Sequence, residues 1–341
     1  MNKFKILKYA IEKVPFYRKR KELYKTQSWE KLPIITRRDL EKSWKDFLSN
    51  DYRDLKNLSF RLTTGTTGKP IKIFYSPFYY FKMNFSYLKT LLKCGYKITK
   101  SLVHYDPFLP RRYFFQKVGL YKKIWINADL SEKQQLQFLS KYNKVFLSYF
   151  PTSLLFVIFE SKNRNIKLGS FYKIFTQGEV LFDSVREYIQ NELNATVIDL
   201  YGVVEHGLLA YEIQKNLYKL PNELAFFEVV DENNEQVSED ERGKVILTTL
   251  GNYAFPLIRY EVGDFATVKE FNDKGYINLV SDINRISLEV KMKNRRKLEK
   301  TIFDSLKHGK KFIVLYRKGK FFPSYNKRFI KKNRGKYVFL Q

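Results

Sequence analysis

A single cysteine, Cys94, and three histidines, His104, His206 and His308, are all that 341 residues hold of either type. One thiol excludes an internal disulfide and any zinc site built on several thiolates. Cys94 therefore reads as a small buried hydrophobe rather than a nucleophile. Each histidine reads as a hydrogen-bonded core or surface residue, with His206, beside Glu205, the one placed to touch a substrate. Long apolar runs are missing too. The longest uncharged stretch, Val145 to Phe159, includes Ser148, Pro151, Thr152 and Ser153. It falls short of the roughly 18–20 residues that a spanning helix needs, so it reads as buried core. The opening MNKFKILKYAIEKVPFY carries Lys3, Lys5 and Lys8 but no apolar stretch of about 7–15 residues, as a signal peptide would. The expectation is a soluble, cytoplasmic protein.

Acidic side chains are scarce: 35 Asp and Glu stand against 63 Lys and Arg, a formal net charge of +28. The surplus sits at the ends. Residues 285–341 hold 19 basic side chains against Glu289, Glu299 and Asp304, and residues 1–50 hold 14 against six. Basic ends on a nearly neutral middle suit an anionic partner, whether nucleic acid, acidic lipid or an anionic glycan, and they equally suit solubility alone. What is abundant is aromatic: 25 Tyr and 30 Phe within a 44% hydrophobic composition supply a sizeable core and exclude wholesale disorder.

The length fits two or three domains, or one large domain with a small one. Residues 1–50 read as helical, with a helix starting at Thr36 as N-cap and Asp39 three positions on, close to a capping box. An extended Leu58–Leu62, a Gly-rich turn and a strand from Ile71 follow. Strand and helix patterns then alternate to about residue 210, which favours a layered α/β architecture. FFEVVDENNEQV reads as a hairpin around Glu232, Asn233 and Asn234, and GKVILTTL as a buried strand. Beyond Ile283 the chain turns basic, with helical spacing in RRKLEKTIFDSLKH and then a strand in KKFIVLYRK. The expected division is 1–284 and 285–341.

Three segments carry chemistry. Thr63, Thr64, Gly65, Thr66, Thr67, Gly68, Lys69 and Pro70 combine two glycines that permit a tight turn, four hydroxyls and one ammonium, a cradle for phosphate oxygens. It is not the Walker pattern, because the glycines are three apart and Pro70 follows the lysine. Tyr201-Gly202-Val203-Val204-Glu205 offers a ring to stack on a base and a carboxylate for a divalent metal. In Pro256 to Asp264, the carboxylate of Asp264 after Gly263 suits a ribose diol. Each of the last two reads equally as a strand end or a turn. The aromatic runs 74–81 and 111–116 suit either an acyl pocket or ordinary packing.

In this order the segments resemble the adenylate-forming superfamily of acyl-coenzyme A ligases and luciferases. TTGTTGKP is similar to its phosphate loop, S/T-S-G-T-T-G-x-P; YGVVE to Y-G-x-S/T-E; and LIRYEVGD to I-R-Y-x-x-G-D. Within it, YAIEKVPFYRKR, LPIITRRDL, YFPTSL, TQGEVL and GKVILTTLGNYAFPLIRY resemble the phenylacetate–coenzyme A ligase branch, which includes CapK-type proteins of capsule gene clusters. The resemblance implies a large N-terminal adenylate-forming domain of layered α/β sheets with a small β-barrel-like part, and a small α+β C-terminal lid. It implies ATP and Mg²⁺ as cofactors. Thr64 to Lys69 would wrap the β- and γ-phosphates, Gly178 and Glu179 would lie against adenine, and Tyr201 and Gly202 would line the same base. Glu205 would hold Mg²⁺, Asp264 the ribose hydroxyls, and Arg285, at the hinge, ribose or phosphate. Lys336, in a terminal Arg334-Gly335-Lys336, would close on the α-phosphate, making Lys336, Glu205 and Thr64 the catalytic set.

The departures shape the expectation. Val204 stands where the family has Thr or Ser, Asn284 where it has the hinge Gly, and the acidic residue after the hinge is absent or displaced to Glu289. The last segment is about half the family's length. The resemblance thus implies adenylation of a carboxylic acid with transfer to an amine or hydroxyl acceptor, such as a sugar or glycan in capsule or surface polysaccharide biosynthesis. An ordinary aryl- or acyl-coenzyme A ligase is the alternative, and a non-catalytic nucleic-acid-binding protein the lower one. No nucleic acid partner is expected, while the basic tail suits peripheral contact with an anionic membrane or glycan.

Overall fold

Helices occupy the first fifty residues, as their sequence pattern requires. In the computed structural model, which describes residues 2–25, 28–63, 70–106, 116, 119–221, 223–285, 313–317, 320–324, 330–333 and 336–339, they are α1 (Lys3–Lys13), α2 (Pro15–Arg18), α3 (Lys21–Tyr24) and α4 (Arg37–Ser43). Asn2 caps α1 by accepting from the Phe4 amide at 2.8 Å, and Ile6, Leu7 and Ala10 form its buried stripe. The capping box starting α4 is present: the Thr36 amide and hydroxyl donate to Asp39 at 2.9 and 2.7 Å. Then β1 (Ser59–Leu62) and β2 (Lys72–Tyr75) pair antiparallel, and α5 (Pro77–Lys93) follows.

Chain contacts divide the molecule into two units, Met1–Leu91 with Tyr201–Glu289 and Leu92–Leu200 with Val290–Gln341. The second unit is built on alternation: β3 (Leu102–Asp106), β4 (Lys123–Asn127), α6 (Glu132–Leu139), β5 (Val145–Tyr149), α7 (Pro151–Arg164), β6 (Phe171–Gln177), α8 (Asp183–Leu193) and the start of β7 (Thr196–Val203). These strands pair in parallel in the order β4-β3-β5-β6-β7. Every residue of β5 is buried, as a strand covered on both faces demands. The uncharged run from Val145 to Phe159 is thus β5 followed by α7, switching at Pro151, whose fixed φ suits a first helical turn.

After β7 the chain re-enters the first unit as β8 (Gly207–Gln214), β9 (Leu217–Lys219), β10 (Ala225–Val230), β11 (Arg242–Thr249), β12 (Tyr260–Phe271) and β13 (Ile277–Arg285). They pair antiparallel in the order β10-β11-β12-β13-β9-β8. The turn expected around Asn233 is there, tied by the Asp231 amide to the Glu235 carbonyl at 3.0 Å. Its return arm is reduced to the bridge Val230↔Gln236, beside the bond from the Val237 amide to the Val229 carbonyl at 3.0 Å. GKVILTTL forms most of β11 and is buried except at Lys244, which is half-buried. The core of this unit is aromatic: Phe16 stacks on Phe47 at 4.1 Å, and the fully buried Tyr17 donates to the Pro256 carbonyl at 2.9 Å.

Downstream, β14 (Ile313–Arg317) pairs with β15 (Lys320–Ser324), and β16 (Ile330–Asn333) with β17 (Lys336–Phe339). The strand expected in KKFIVLYRK is β14. The helix expected in RRKLEKTIFDSLKH lies outside the described residues. Among the described residues no helix is long and apolar enough to cross a membrane.

Candidate active site

The segments YGVVE and LIRYEVGD, sixty residues apart in sequence, are bonded to each other. Tyr201, near the end of β7, donates its hydroxyl to Asp264 on β12 at 2.8 Å, and Tyr260, at the start of β12, donates to Glu205 at 3.1 Å. Asp264 and Glu205 are buried, at 6% and 7% exposure. A carboxylate so placed must keep hydrogen-bond partners to offset lost hydration. Burial, followed by the negative charge of Glu205, holds the Tyr260 phenol well above its usual pKa, so it stays a donor.

The turn carrying Glu205 is gripped from below by two tyrosines that the sequence did not single out for this role. Tyr75, ending β2, donates to the Val204 carbonyl, and Tyr79 on α5 bonds His206 Nδ1 at 2.6 Å. Burial pushes the His206 imidazole down to about 4, so it is neutral at pH 7. His206 is therefore a satisfied core histidine. His104 is also buried, with Asp106 at 3.4 Å, and Cys94 is buried; His308 lies outside the described residues.

Gly202 has a specific reason to be glycine. A Cβ there would lie 2.6 Å from the Gly207 carbonyl oxygen across the β7–β8 turn, and backbone cannot swing aside. Gly202→Ala should cost about 1–3 kcal/mol, read as a lower midpoint of chemical denaturation. An unchanged midpoint would contradict the close approach.

Of the phosphate-loop residues, Thr64, Gly65, Thr66, Thr67, Gly68 and Lys69 lie outside the described residues. Thr63 closes the base of that loop: it is buried, and its hydroxyl accepts from the Ile71 amide at 3.0 Å. Arg285 ends β13 opposite Asp264 in the strand register, and Lys336 begins β17.

In the second unit, Gly178 takes a φ of +79°, a conformation that glycine adopts without strain. The Glu179 carboxylate accepts from the Thr152 amide at 3.0 Å. Thr152 is the second residue of α7, where an amide has no partner inside the helix, so Glu179 satisfies it and complements the positive helix end. This joins YFPTSL to TQGEVL, a link that sequence spacing could not reveal.

Among the described residues, no cluster of three or more His, Cys, Asp or Glu side chains is arranged to hold a metal. Mg²⁺ carried on a nucleotide is commonly bound by one or two carboxylates plus phosphate oxygens. Glu205, a buried carboxylate with Tyr260 fixing one oxygen, fits such a role. A depression of about 740 Å³ lined by Lys5, Lys8, Tyr9, Glu12, Asp51, Tyr52 and Tyr253 contains none of the candidate residues.

No family model matches the sequence, and no curated protein matches it. Solved structures do match in fold. A 2-hydroxyisobutyryl-CoA ligase in an open conformation, in complex with 2-HIB-AMP and CoA, aligns with a TM-score of 0.68 and 16% identity over 81% of this chain and 71% of that one. The same ligase in its postadenylation state with 2-HIB-AMP aligns at 0.69 and 17% identity, over 83% of this chain and 66% of that one. The chain thus spans about two thirds of the length of these structures, and it has their fold, the mixed α/β fold of adenylate-forming ligases.

Proposed function

We propose that the chain is an AMP-forming ligase that uses ATP to activate a carboxylic acid as an acyl-adenylate. The observation that carries this reading is the pair of bonds tying Glu205 and Asp264 into one cluster, Tyr260 to Glu205 and Tyr201 to Asp264. A buried carboxylate on the metal side and another on the ribose side are what a nucleotide-activating site needs at fixed spacing. The shared fold supports the reading, since both matched structures hold an acyl-AMP.

The carboxylate oxygen of the acid attacks the α-phosphorus of ATP, the bond to the bridging oxygen breaks, and pyrophosphate leaves. Protein groups position and neutralise rather than form covalent bonds. Thr64 to Lys69 would hold the leaving phosphates, Gly178, Glu179, Tyr201 and Gly202 the adenine, and Asp264 and Arg285 the ribose. Lys336 would meet charge developing on the α-phosphate. Mg²⁺ at Glu205 would supply neutralisation of phosphate charge. The protein would work in the cytoplasm, with 1–284 as the adenylating domain and 285–341 as a lid.

The acceptor we propose is an amine or hydroxyl, on a sugar or glycan of a surface polysaccharide. Asn284 supports this: the thioester step in the resembled family needs a hinge, and asparagine lacks the freedom of the glycine it replaces. The coenzyme A reading is favoured by the CoA bound in one matched structure. Incubation with ATP, a carboxylic acid panel and CoA separates them. AMP formation that is indifferent to CoA and stimulated by an amine or hydroxyl acceptor supports the first, and consumption of CoA thiol with AMP supports the second. ATP hydrolysed to ADP would sink both.

A further inference from the structure

The turn that carries Glu205 rests one of its faces on aromatic and apolar side chains. Tyr75 and Tyr79 stack at 6.3 Å, and Val204 packs on the cluster that holds both of them with Met83. A Cβ on Gly207 would lie 3.1 Å from Met83 Cγ. His206 is set into this same face by its bond to Tyr79, and the residue is 4% exposed. That bond, which serves the core side of the imidazole, also settles where the ring hydrogen lies. Among the described residues the Tyr79 hydroxyl has no partner except His206 Nδ1, at 2.6 Å, so its hydrogen is donated there. Nδ1 is then the bare acceptor nitrogen, and the ring carries its own hydrogen on Nε2. No described residue bonds Nε2. A donor on so buried a side chain calls for an acceptor.

We propose that the Nε2–H of His206 reads the carboxylic acid: it donates to a hydroxyl or carbonyl oxygen on the organic part of the acid. The substrate class is then an acid bearing such an oxygen beyond its carboxyl group, rather than a plain alkyl or aryl acid. The setting selects the acid over the phosphates. Phosphate sites collect backbone amides and cations, whereas His206 stands among Tyr79, Met83 and Val204. An apolar wall with one placed donor is how a small-molecule pocket fixes orientation. Val204 itself supplies no polar group, which leaves the histidine as the donor next to Glu205 on this face. Tyr79 acts through His206 as a positioning residue. The inference rests on the ligase reading and narrows it.

Pyrophosphate exchange driven by paired acids tests it, each hydroxy or oxo acid beside the alkyl acid of the same shape. In at least one pair the wild type should favour the oxygen-bearing member by about a hundredfold or more in kcat/KM, since a site built around a hydrogen bond rejects the analogue lacking it. The variant Tyr79→Phe/His206→Phe removes both partners of the buried bond and strands neither; it should lose at least about tenfold of that preference. Nitrogen NMR of the three histidines should show His206 as the Nε2–H tautomer, with that signature lost in Tyr79→Phe. An Nδ1–H tautomer in the wild type would overturn the proposal, as would a preference unchanged in the double variant. A fall equal for both members of every pair would place the contact on ATP and overturn it too. Exchange driven by no acid at all would instead remove the ligase reading, and this assignment with it.

Discussion

Arg259→Ala should destabilise the protein by about 3–5 kcal/mol, the range for removing one member of a buried ion pair. Arg259 is 1% exposed and adopts a φ of +48°, unusual for a residue with a side chain. Its guanidinium lies 3.2 Å from Glu228, donates to the Leu32 carbonyl at 2.9 Å and to that of Glu30, and reaches the Asn234 carbonyl at 3.0 Å. Glu228 in turn accepts from the Trp29 indole at 3.0 Å. One side chain thus fastens the N-terminal helices to β10 and to the turn after it. Truncation strands three carbonyls and a buried carboxylate.

Burial already raises the Glu228 pKa, with Arg259 opposing that rise. An acid whose folded pKa lies above its unfolded value costs no stability below the unfolded pKa, and the cost grows as pH rises to the folded pKa and is complete above it. The deficit of Arg259→Ala relative to wild type should therefore be largest at neutral pH and shrink as pH falls and Glu228 takes a proton. Urea titrations at pH 7 and pH 5 check the sign; a deficit that grows on acidification would contradict the account. Arg259→Ala/Glu228→Ala should lose less than the two single losses together, because no charge is left unpaired.

The second large effect is on rate. Lys336→Ala should slow acyl-adenylate formation by about a hundredfold or more, as deletion of one preorganised contact to developing charge does. Glu205→Ala should cost at least as much and weaken Mg²⁺–ATP binding as well, whereas Lys336→Ala should leave ATP binding nearly intact, because the role proposed for the lysine is confined to the transition state. Titration calorimetry separates the two, and adenylation at the wild-type rate by Lys336→Ala would remove the assigned role of the tail.

Features set by neighbours in sequence were the legible ones. The Thr36–Asp39 box spans four residues and could be placed without partners, and the run Val145–Phe159 was legible as buried core, though not as a strand passing into a helix at Pro151. Alternation through the middle of the chain likewise announced an α/β layer, whose parallel pairing the structure supplies. Contacts closing over long loops were not legible. Nothing local marks Tyr79 for His206, 127 residues away, or Trp29 for Glu228, 199 away. The positive φ of Arg259 goes against the preference of its residue type, so only tertiary packing can explain it. Glu179, expected at adenine, also serves α7, because its strand ends beside that helix start.

The most direct test of the central claim is exchange of labelled pyrophosphate into ATP, run with Mg²⁺ and a panel of carboxylic acids and without any acceptor. Reversible adenylation requires that at least one acid drive exchange, that Glu205→Ala abolish it, and that no ADP form. Exchange that no carboxylic acid stimulates, by a protein that binds Mg²⁺–ATP, would contradict the account and leave a nucleotide-binding fold without the chemistry.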